Sequence, residues 1–222
     1  MRLPCASRAN RRPSRGENGI LDKHLSALPS FIQKAHLIDQ DQIRDAVSSI
    51  LNAIGEDTDR DGLAETPRRV AELYSEFFSG LGQDPSQVLK TGFDEGHTGL
   101  VAFDNLQFFS ICEHHLLPFI GTASAGYLPE GRVIGASKIA KALDILARRP
   151  QMQERLTTQL ADAIADTLEP KGVGVMLSAE HLCMSLRGVK KPGNKMITSA
   201  YRGEFETNDG LRREFWSMTG SN

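Results

Sequence analysis

Two short clusters of cysteine and histidine carry the strongest chemical signal in the sequence. The first spans residues 112–115 (Cys-Glu-His-His), where Cys112 and His115 are three positions apart. A tight turn at this spacing can direct both side chains at one metal ion. The second spans residues 181–183 (His-Leu-Cys), and residues two apart on a strand project to the same side. Arg187 would share that face if the strand continued. Together the two clusters predict a site for one metal ion.

Zinc is the metal that suits these ligands, because thiolate and imidazole are its usual partners in proteins. The candidate ligands are Cys112, His115 and Cys183, with either His114 or His181 as a fourth. A structural site takes four protein ligands, whereas a catalytic site takes three and leaves a position for water. Neighbouring histidine side chains diverge, which favours the three-ligand set. His114 and His181 would then be free imidazoles beside that water, suited to proton transfer near neutral pH.

A packing role is the alternative for each of these residues, since isolated cysteines are among the most buried residue types. The two clusters contain every cysteine apart from Cys5, which favours a metal site. From composition and spacing alone the prediction is a mononuclear zinc hydrolase or lyase.

A second group of residues indicates an anionic substrate. Ser137 and Lys138 stand at the expected start of a helix, and Lys141 follows one turn later. Exposed amides at a helix start, next to ammonium groups, form a natural phosphate site. The alternative is a serine cap with two solvated lysines. Arg187 and residues 190–191 add positive charge downstream.

The elements that must position these residues follow from hydrophobic periodicity and from helix start and stop signals. Their order predicts an α+β fold with an antiparallel sheet. The predicted elements are a helix from Asp39 to about residue 54, a helix with Thr66 as N-cap and Pro67 in its first turn, strands at 99–111 and 119–128, a short strand at 132–135, a helix at 138–148 capped by Ser137, a helix at 151–168, a strand or strand pair at 172–187, a strand at 197–206 and a short helix at 209–217.

Composition excludes several classes of protein. The chain has 222 residues, 40% of them hydrophobic, and no apolar run long enough to span a membrane. A net charge of −2 argues against a general nucleic-acid binder. Three cysteines do not make a disulfide framework, which indicates a reducing compartment, the cytoplasm. Residues 1–17 carry five arginines and one glutamate, so residues 1–30 are predicted to be a disordered basic tail, with Cys5 inert in it. An Arg-rich transit peptide is the alternative.

Six motifs in the same order resemble the GTP cyclohydrolase I family. The resemblance runs from about residue 40 to residue 217, and the order of several motifs makes it specific. The motifs are residues 65–70 (Glu-Thr-Pro-Arg-Arg-Val), 78–81 (Phe-Ser-Gly-Leu), 112–115, 133–138 (Val-Ile-Gly-Ala-Ser-Lys), 149–156 (Arg-Pro-Gln-Met-Gln-Glu-Arg-Leu) and 181–188 (His-Leu-Cys-Met-Ser-Leu-Arg-Gly).

The resemblance implies the tunnelling fold, in which a four-stranded antiparallel sheet is backed by two antiparallel helices, here 138–148 and 151–168. It divides the chain into the tail at 1–30, an N-terminal helical region at 31–98 and a catalytic region at 99–222. It also implies a homodecamer of two pentameric rings, with active sites where subunits meet.

The implied reaction is the zinc-dependent hydrolytic opening of the guanine ring of GTP. Water activated by one Zn²⁺ per subunit adds to carbon 8, formate is released, and a rearrangement gives 7,8-dihydroneopterin triphosphate. This is the first step of pterin and folate biosynthesis, and the sequence leaves open whether the product feeds folate or tetrahydrobiopterin.

The resemblance also assigns roles to individual residues. It places zinc on Cys112, His115 and Cys183, and proton transfer on His114 and His181, while Ser137 acts in the rearrangement. The implied substrate-binding residues are Glu154 at the guanine edge, Gln153 beside it, and Lys138, Lys141, Arg187 and Arg69 at the triphosphate. Lys141 stands where the family pattern has arginine, so we expect weaker triphosphate binding, because lysine lacks bidentate geometry.

Three rival functions were weighed against this one. A catalytically silent binding or structural protein with a closed zinc site would not need two free imidazoles beside an open ligand position. Another enzyme of the same fold, such as a nitrile reductase or a pyruvoyl-pterin synthase, would not be expected to carry both clusters. A zinc nucleoside deaminase would carry Pro-Cys-x-x-Cys, which is absent from the sequence.

Overall fold

The structure is a computed structural model that describes residues 38–220. The predictions for the tail at residues 1–30 and for Cys5 lie outside the described residues. Among those described, no helix is both long and apolar enough to cross a bilayer.

The described chain begins with three helices, continues with four strands and the two long covering helices, and ends with two long strands and short helices, an order that fits the predicted α+β fold. In chain order they are α1 (Gln40–Ala53), α2 (Thr66–Phe77), α3 (Ser86–Leu89), β1 (Gly92–His97), β2 (Val101–Cys112), β3 (Pro118–Leu128), β4 (Gly131–Ile134), α4 (Ser137–Ala147), β5 (Pro150–Gln151), α5 (Gln153–Leu168), β6 (Gly172–His181), α6 (Leu182–Ser185), β7 (Lys195–Gly203), α7 (Glu204–Thr207) and α8 (Asp209–Thr219).

The main sheet has the strand order β5-β2-β3-β6-β7. Its four long strands are antiparallel, and the two-residue β5 pairs in parallel with the end of β2. The predicted four-stranded antiparallel sheet is therefore confirmed, with β5 as an addition at its edge. A separate two-stranded sheet joins β4 to β1, and β1 was not predicted.

One face of the main sheet carries the larger hydrophobic core. Alternate residues of β3 and β6 point to this face because side chains in a strand alternate between its two sides. Helices α4 and α5 cover it with their apolar faces. The fully or nearly fully buried residues of this core include Ala123, Ala125, Val173, Val175, Leu177, Leu143, Leu146, Leu156, Leu160 and Ile164.

The opposite face of the sheet is covered by two aromatic rings near the C-terminus. Phe205 of α7 and Phe215 of α8 are fully buried and meet edge to face, with centroids 5.8 Å apart. They lie against Gly126 of β3 and Gly174 of β6, where any side chain would collide with the rings. The two glycines therefore give the rings direct access to the sheet backbone.

Three local predictions at helix and strand ends were wrong. The N-cap of α2 is Glu65, and Thr66 is already helical; the N-cap of α4 is Ala136, and Ser137 is the first helical residue without a side-chain cap bond. The strand predicted at 172–187 ends at His181, because the chain turns into the short helix α6. Arg187 therefore does not share a strand face with Cys183.

We expect Gly174→Ala to destabilise the protein by about 1–3 kcal/mol, the usual cost of overpacking a filled core. A methyl group at this position would lie 2.6 Å from Cε1 of Phe205, so the buried ring must move. Chemical denaturation measures the change, with Gly99→Ala as the control, because its nearest neighbour is the flexible side chain of His97. Equal stability of the two variants would contradict this packing.

Candidate functional site

The first metal-ligand cluster lies on a tight turn that is fixed by backbone hydrogen bonds. Cys112 is the last residue of β2, and its N–H donates to the carbonyl of Leu117 over 2.9 Å. Its own carbonyl accepts from the N–H of Leu116, also at 2.9 Å, and Leu116 takes the left-handed conformation with φ of 51°. The N–H of Glu113 donates to the carbonyl of Gln151 in β5. The turn is therefore closed by its own backbone hydrogen bonds and is joined to β5.

An ion pair ties the same turn to helix α5. The carboxylate of Glu113 accepts hydrogen bonds from both terminal nitrogens of Arg155, at 2.5 and 3.1 Å. This contact lowers the pKa of Glu113, chiefly through the hydrogen bonds from Arg155 and then through its charge. Both side chains are partly solvated, so the pair contributes more to orientation than to stability. Sequence reasoning missed Arg155, since its partner lies 42 positions away.

The second cluster meets the first at the end of β6. Cys183 lies in α6, directly after the strand, and its Sγ is 3.9 Å from Sγ of Cys112. The ligand atoms of Cys112, His115 and Cys183 all lie within 4.8 Å of one another. Two thiolates on a tetrahedral zinc with bonds of about 2.3 Å stand about 3.8 Å apart. The spacing of the sulphur atoms therefore fits a zinc ion without rearrangement.

The electrostatics of Cys183 show why this pair calls for a cation. Burial raises the pKa of its thiol, and the neighbouring Cys112 raises that pKa further, while Arg187 partly opposes both effects. Two thiolates this close repel each other unless a positive charge lies between them. A bound metal ion would supply that charge and hold both sulphurs deprotonated.

The two histidines of the turn occupy different positions. Their rings are 6.3 Å apart and inclined by 77°, so the expected divergence of neighbouring side chains is confirmed. His115 belongs to the ligand group, and its Nε2 contacts the guanidinium of Arg187. His114 is exposed, with Nδ1 3.9 Å from Sγ of Cys112. It therefore lies beside the candidate metal position.

His181 is the most enclosed imidazole of the site. It pairs with Phe119 across β6 and β3, and the two rings stack 4.6 Å apart at an angle of 2°. Burial lowers the pKa of His181, and the carboxylate of Glu154 opposes that shift. Its Nε2 lies 2.8 Å from Oε1 of Gln153, whose side chain is completely buried. His181 is thus close to neutral Gln153 and within the field of Glu154.

The remaining predicted residues lie on other parts of the chain. Ser137 and Lys138 begin α4, and Lys141 follows on its exposed side. Arg69 is exposed on α2. Within the part of the chain that the structure describes, no hydrogen bond or ion pair joins any of these four residues to the metal-ligand group.

Comparison with known proteins gives a consistent result. The family described as GTP cyclohydrolase I matches residues 43–220. A protein named GTP cyclohydrolase 1 from Dehalococcoides mccartyi is 53% identical over 184 residues, which cover 82% of this chain and 97% of that protein. Its namesake from Geobacillus kaustophilus is 53% identical over 178 residues, 80% of this chain and 95% of that protein. The one from Thermoanaerobacter pseudethanolicus is 51% identical over 186 residues, 83% and 99% of the two chains.

A solved structure, the archaeosine synthase QueF-Like in its apo form, is also similar to part of this chain. It is 18% identical with a TM-score of 0.37, and the match covers 48% of this chain and 96% of that one.

We expect the metal-free protein to form a disulfide between Cys112 and Cys183 in air. Their sulphurs are 3.9 Å apart, so a small side-chain rotation brings them to bonding distance of about 2.05 Å. Thiol titration of the chelated, aerated protein should show the loss of two of its three thiols. Cys183→Ala, treated in the same way, should keep both of its remaining thiols. Three free thiols in the chelated, aerated wild-type protein would contradict the expectation.

Proposed function

The chain belongs to the GTP cyclohydrolase I family, and on that premise we propose that it opens the guanine ring of GTP hydrolytically. The reaction releases formate and yields 7,8-dihydroneopterin triphosphate, the first step of pterin and folate biosynthesis. The observation that carries the proposal is the convergence of the ligand atoms of Cys112, His115 and Cys183 within 4.8 Å, with the imidazole of His114 beside Cys112.

Zinc is the metal proposed for this ligand group, one ion per subunit. The set of two thiolates and one imidazole is one that zinc accepts in catalytic sites, with the fourth position left for water. Bound there, zinc acts as a Lewis acid that lowers the pKa of water toward neutrality. Cys112 and Cys183 hold the ion from the ends of β2 and β6, and His115 completes the set from the turn.

Two histidines are the proposed proton carriers. His114 is exposed beside Cys112, where it can exchange protons with solvent and with the reacting purine. His181 is shielded by Phe119, and burial lowers the pKa of its imidazole, which favours the neutral form that can accept a proton. Ser137 is proposed to act in the later rearrangement of the ribose.

Recognition of guanine is assigned to Glu154. It is exposed in the first turn of α5, on the same helix as Arg155, which holds the metal-binding turn. A carboxylate accepts two N–H groups from the guanine edge, and a base without those donors would leave it unpaired. Gln153, predicted beside it, has a completely buried side chain whose amide is hydrogen-bonded within the protein, so no direct substrate contact is proposed for it. Lys138, Lys141, Arg187 and Arg69 are the proposed triphosphate contacts.

A homodecamer of two pentameric rings is proposed, with sites completed by neighbouring subunits. Within the described part of one chain, no hydrogen bond or ion pair joins Lys138 or Lys141 to the metal ligands, and we infer that a second copy brings them to the substrate. Helix α1 supports association as well, because it has an apolar side but no buried residue in the single chain. Ile50 on that helix and Ile54 at its C-cap are 59% and 69% exposed. A reducing cytoplasm suits a site built on two thiolates.

The proposed reaction is tested by incubating the zinc-loaded protein with GTP. We expect stoichiometric formate and, after oxidation, a fluorescent pterin. Cys183→Ala is the matched control, since it removes a metal ligand from the surface of the fold and should lose zinc and product together. Protein with one zinc per chain that forms no formate would overturn the proposal.

His114→Ala should retain zinc and lose turnover. Removing a proton carrier costs on the order of 10²–10⁴-fold in kcat, whereas the ligand set of Cys112, His115 and Cys183 stays intact. Metal analysis and steady-state kinetics on the same sample separate the two effects. Loss of zinc in this variant would instead make His114 a ligand.

Lys141→Ala should raise the KM for GTP about tenfold, the size expected for one lost charge-assisted contact to a phosphate. Lys141→Arg should lower KM, because a guanidinium can bind a phosphate with two parallel hydrogen bonds. Lys90→Ala, which removes an exposed lysine bonded to Gln87, is the control for the change in net charge. An unchanged KM in Lys141→Ala would remove this residue from the triphosphate site.

A further inference from the structure

The side-chain amide of Gln153 is enclosed by protein on every side. The residue is 0% exposed at the start of α5. Its Nε2 lies 3.2 Å from the carbonyl of Leu177, 2.9 Å from the carbonyl of Met196 and 3.1 Å from Oγ1 of Thr198. Its Oε1 lies 2.8 Å from Nε2 of His181. The amide thus bridges β6, β7 and the imidazole.

These neighbours leave one orientation for the amide. Two of the atoms around Nε2 are backbone carbonyl oxygens, which can only accept hydrogen bonds. A flipped amide would place its own oxygen against both of them, without a donor between. The nitrogen must therefore face β6 and β7, and the oxygen must face His181.

Hydroxyl groups beneath the amide agree with this orientation. Thr157 donates its hydroxyl to the backbone carbonyl of Gln153 over 2.7 Å. That donation leaves the 2.6 Å contact between Thr157 and Thr198 to be donated by Thr198. Oγ1 of Thr198 is then free to accept from the amide of Gln153. The donor and acceptor roles of both threonines are therefore compatible with an amide nitrogen that faces β6 and β7.

The fixed amide determines which nitrogen of His181 carries a proton. An amide oxygen only accepts, so Nε2 of His181 must be the donor. In the neutral imidazole the other nitrogen, Nδ1, then keeps its lone pair. Among the residues that the structure describes, none hydrogen-bonds Nδ1 of His181, while Phe119 fixes the plane of the ring by stacking. Nδ1 is the nitrogen left for an outside partner.

We propose that Gln153 is a positioning residue that holds neutral His181 as its Nε2–H tautomer, so that Nδ1 is the atom that accepts protons during turnover. This inference rests on the proposed function for the part that His181 plays in the reaction, but the tautomer itself does not depend on it. The role of the Gln153 side chain is accordingly exerted through His181, because all its hydrogen-bonding atoms are engaged within the protein.

The kinetic test compares Gln153→Met with Thr157→Val. Methionine is similar in length and apolar, so it removes the acceptor for His181; valine removes a buried hydroxyl from the same network without touching the contact to His181. We expect both variants to bind one zinc and to keep a KM for GTP within about threefold of wild type. Gln153→Met should lose on the order of 10²-fold in kcat, the scale of general acid–base catalysis, while Thr157→Val loses stability but little kcat.

A kcat for Gln153→Met within threefold of that of Thr157→Val would overturn the proposal, because both variants would then act only through stability. Thermal unfolding and zinc content, measured on the same samples, show that the comparison is made between folded, loaded proteins.

The tautomer is measured directly on the unsubstituted zinc-loaded protein, labelled with ¹⁵N-histidine, by solid-state NMR at a pH where His181 is neutral. His181→Gln identifies the signals that belong to this residue. A protonated Nε2 and an unprotonated Nδ1 support the proposal, and a protonated Nδ1 overturns it. This readout does not need turnover, so a protein that yields no formate would sink the proposed function and leave the tautomer to be decided by NMR.

Discussion

Two sulphur atoms 3.9 Å apart, contributed by residues 71 positions apart in the sequence, impose the constraint on which the site depends. Two thiolates at this distance repel each other. Both sulphurs can therefore stay deprotonated only if a cation is bound between them. The strand order of the main sheet brings the two cysteines to this distance. β3 pairs with β2 on one side and with β6 on the other, so the ends of β2 and β6 reach the same edge. There Cys112 is the last residue of β2, and Cys183 lies in α6, directly after β6.

The same strand pairing places the proton-transfer groups. Phe119 of β3 is paired with His181, the last residue of β6. Its ring therefore stacks on the imidazole of His181 and shields it. Helix α5 then contributes three consecutive residues with different tasks. Gln153 is buried against His181, and Arg155 binds Glu113 in the turn that carries Cys112 and His115. Between them, the exposed Glu154 is the residue proposed to bind guanine. The first turn of α5 therefore contacts both the turn with the candidate metal ligands, through Arg155, and the imidazole of His181, through Gln153.

The sequence predicted the chemistry of the site better than its local geometry. Cys112, His115 and Cys183 were recognised from residue type and short spacing, because metal ligands of this kind are rare and cluster. The predicted placement of His181 and Cys183 on one strand face was wrong, because β6 ends at His181 and Cys183 lies in α6, a change that composition does not reveal. The α+β order and the antiparallel sheet followed from hydrophobic periodicity, whereas the four strands and the two covering helices were implied by the resemblance to the family. Arg155 and the amide network of Gln153 could not be predicted, because both join positions that only the finished sheet brings together. Strand β1 was missed, as its residues Gly92–His97 are mostly exposed and polar.

The central claim is that one zinc ion is held by two thiolates and one imidazole, with room for one further light ligand. X-ray absorption at the zinc edge of the purified, GTP-free protein measures this directly. The account predicts two sulphur neighbours at about 2.3 Å and two nitrogen or oxygen neighbours at about 2.0–2.1 Å. A zinc coordination shell with no sulphur neighbour, or with only one, would contradict this account.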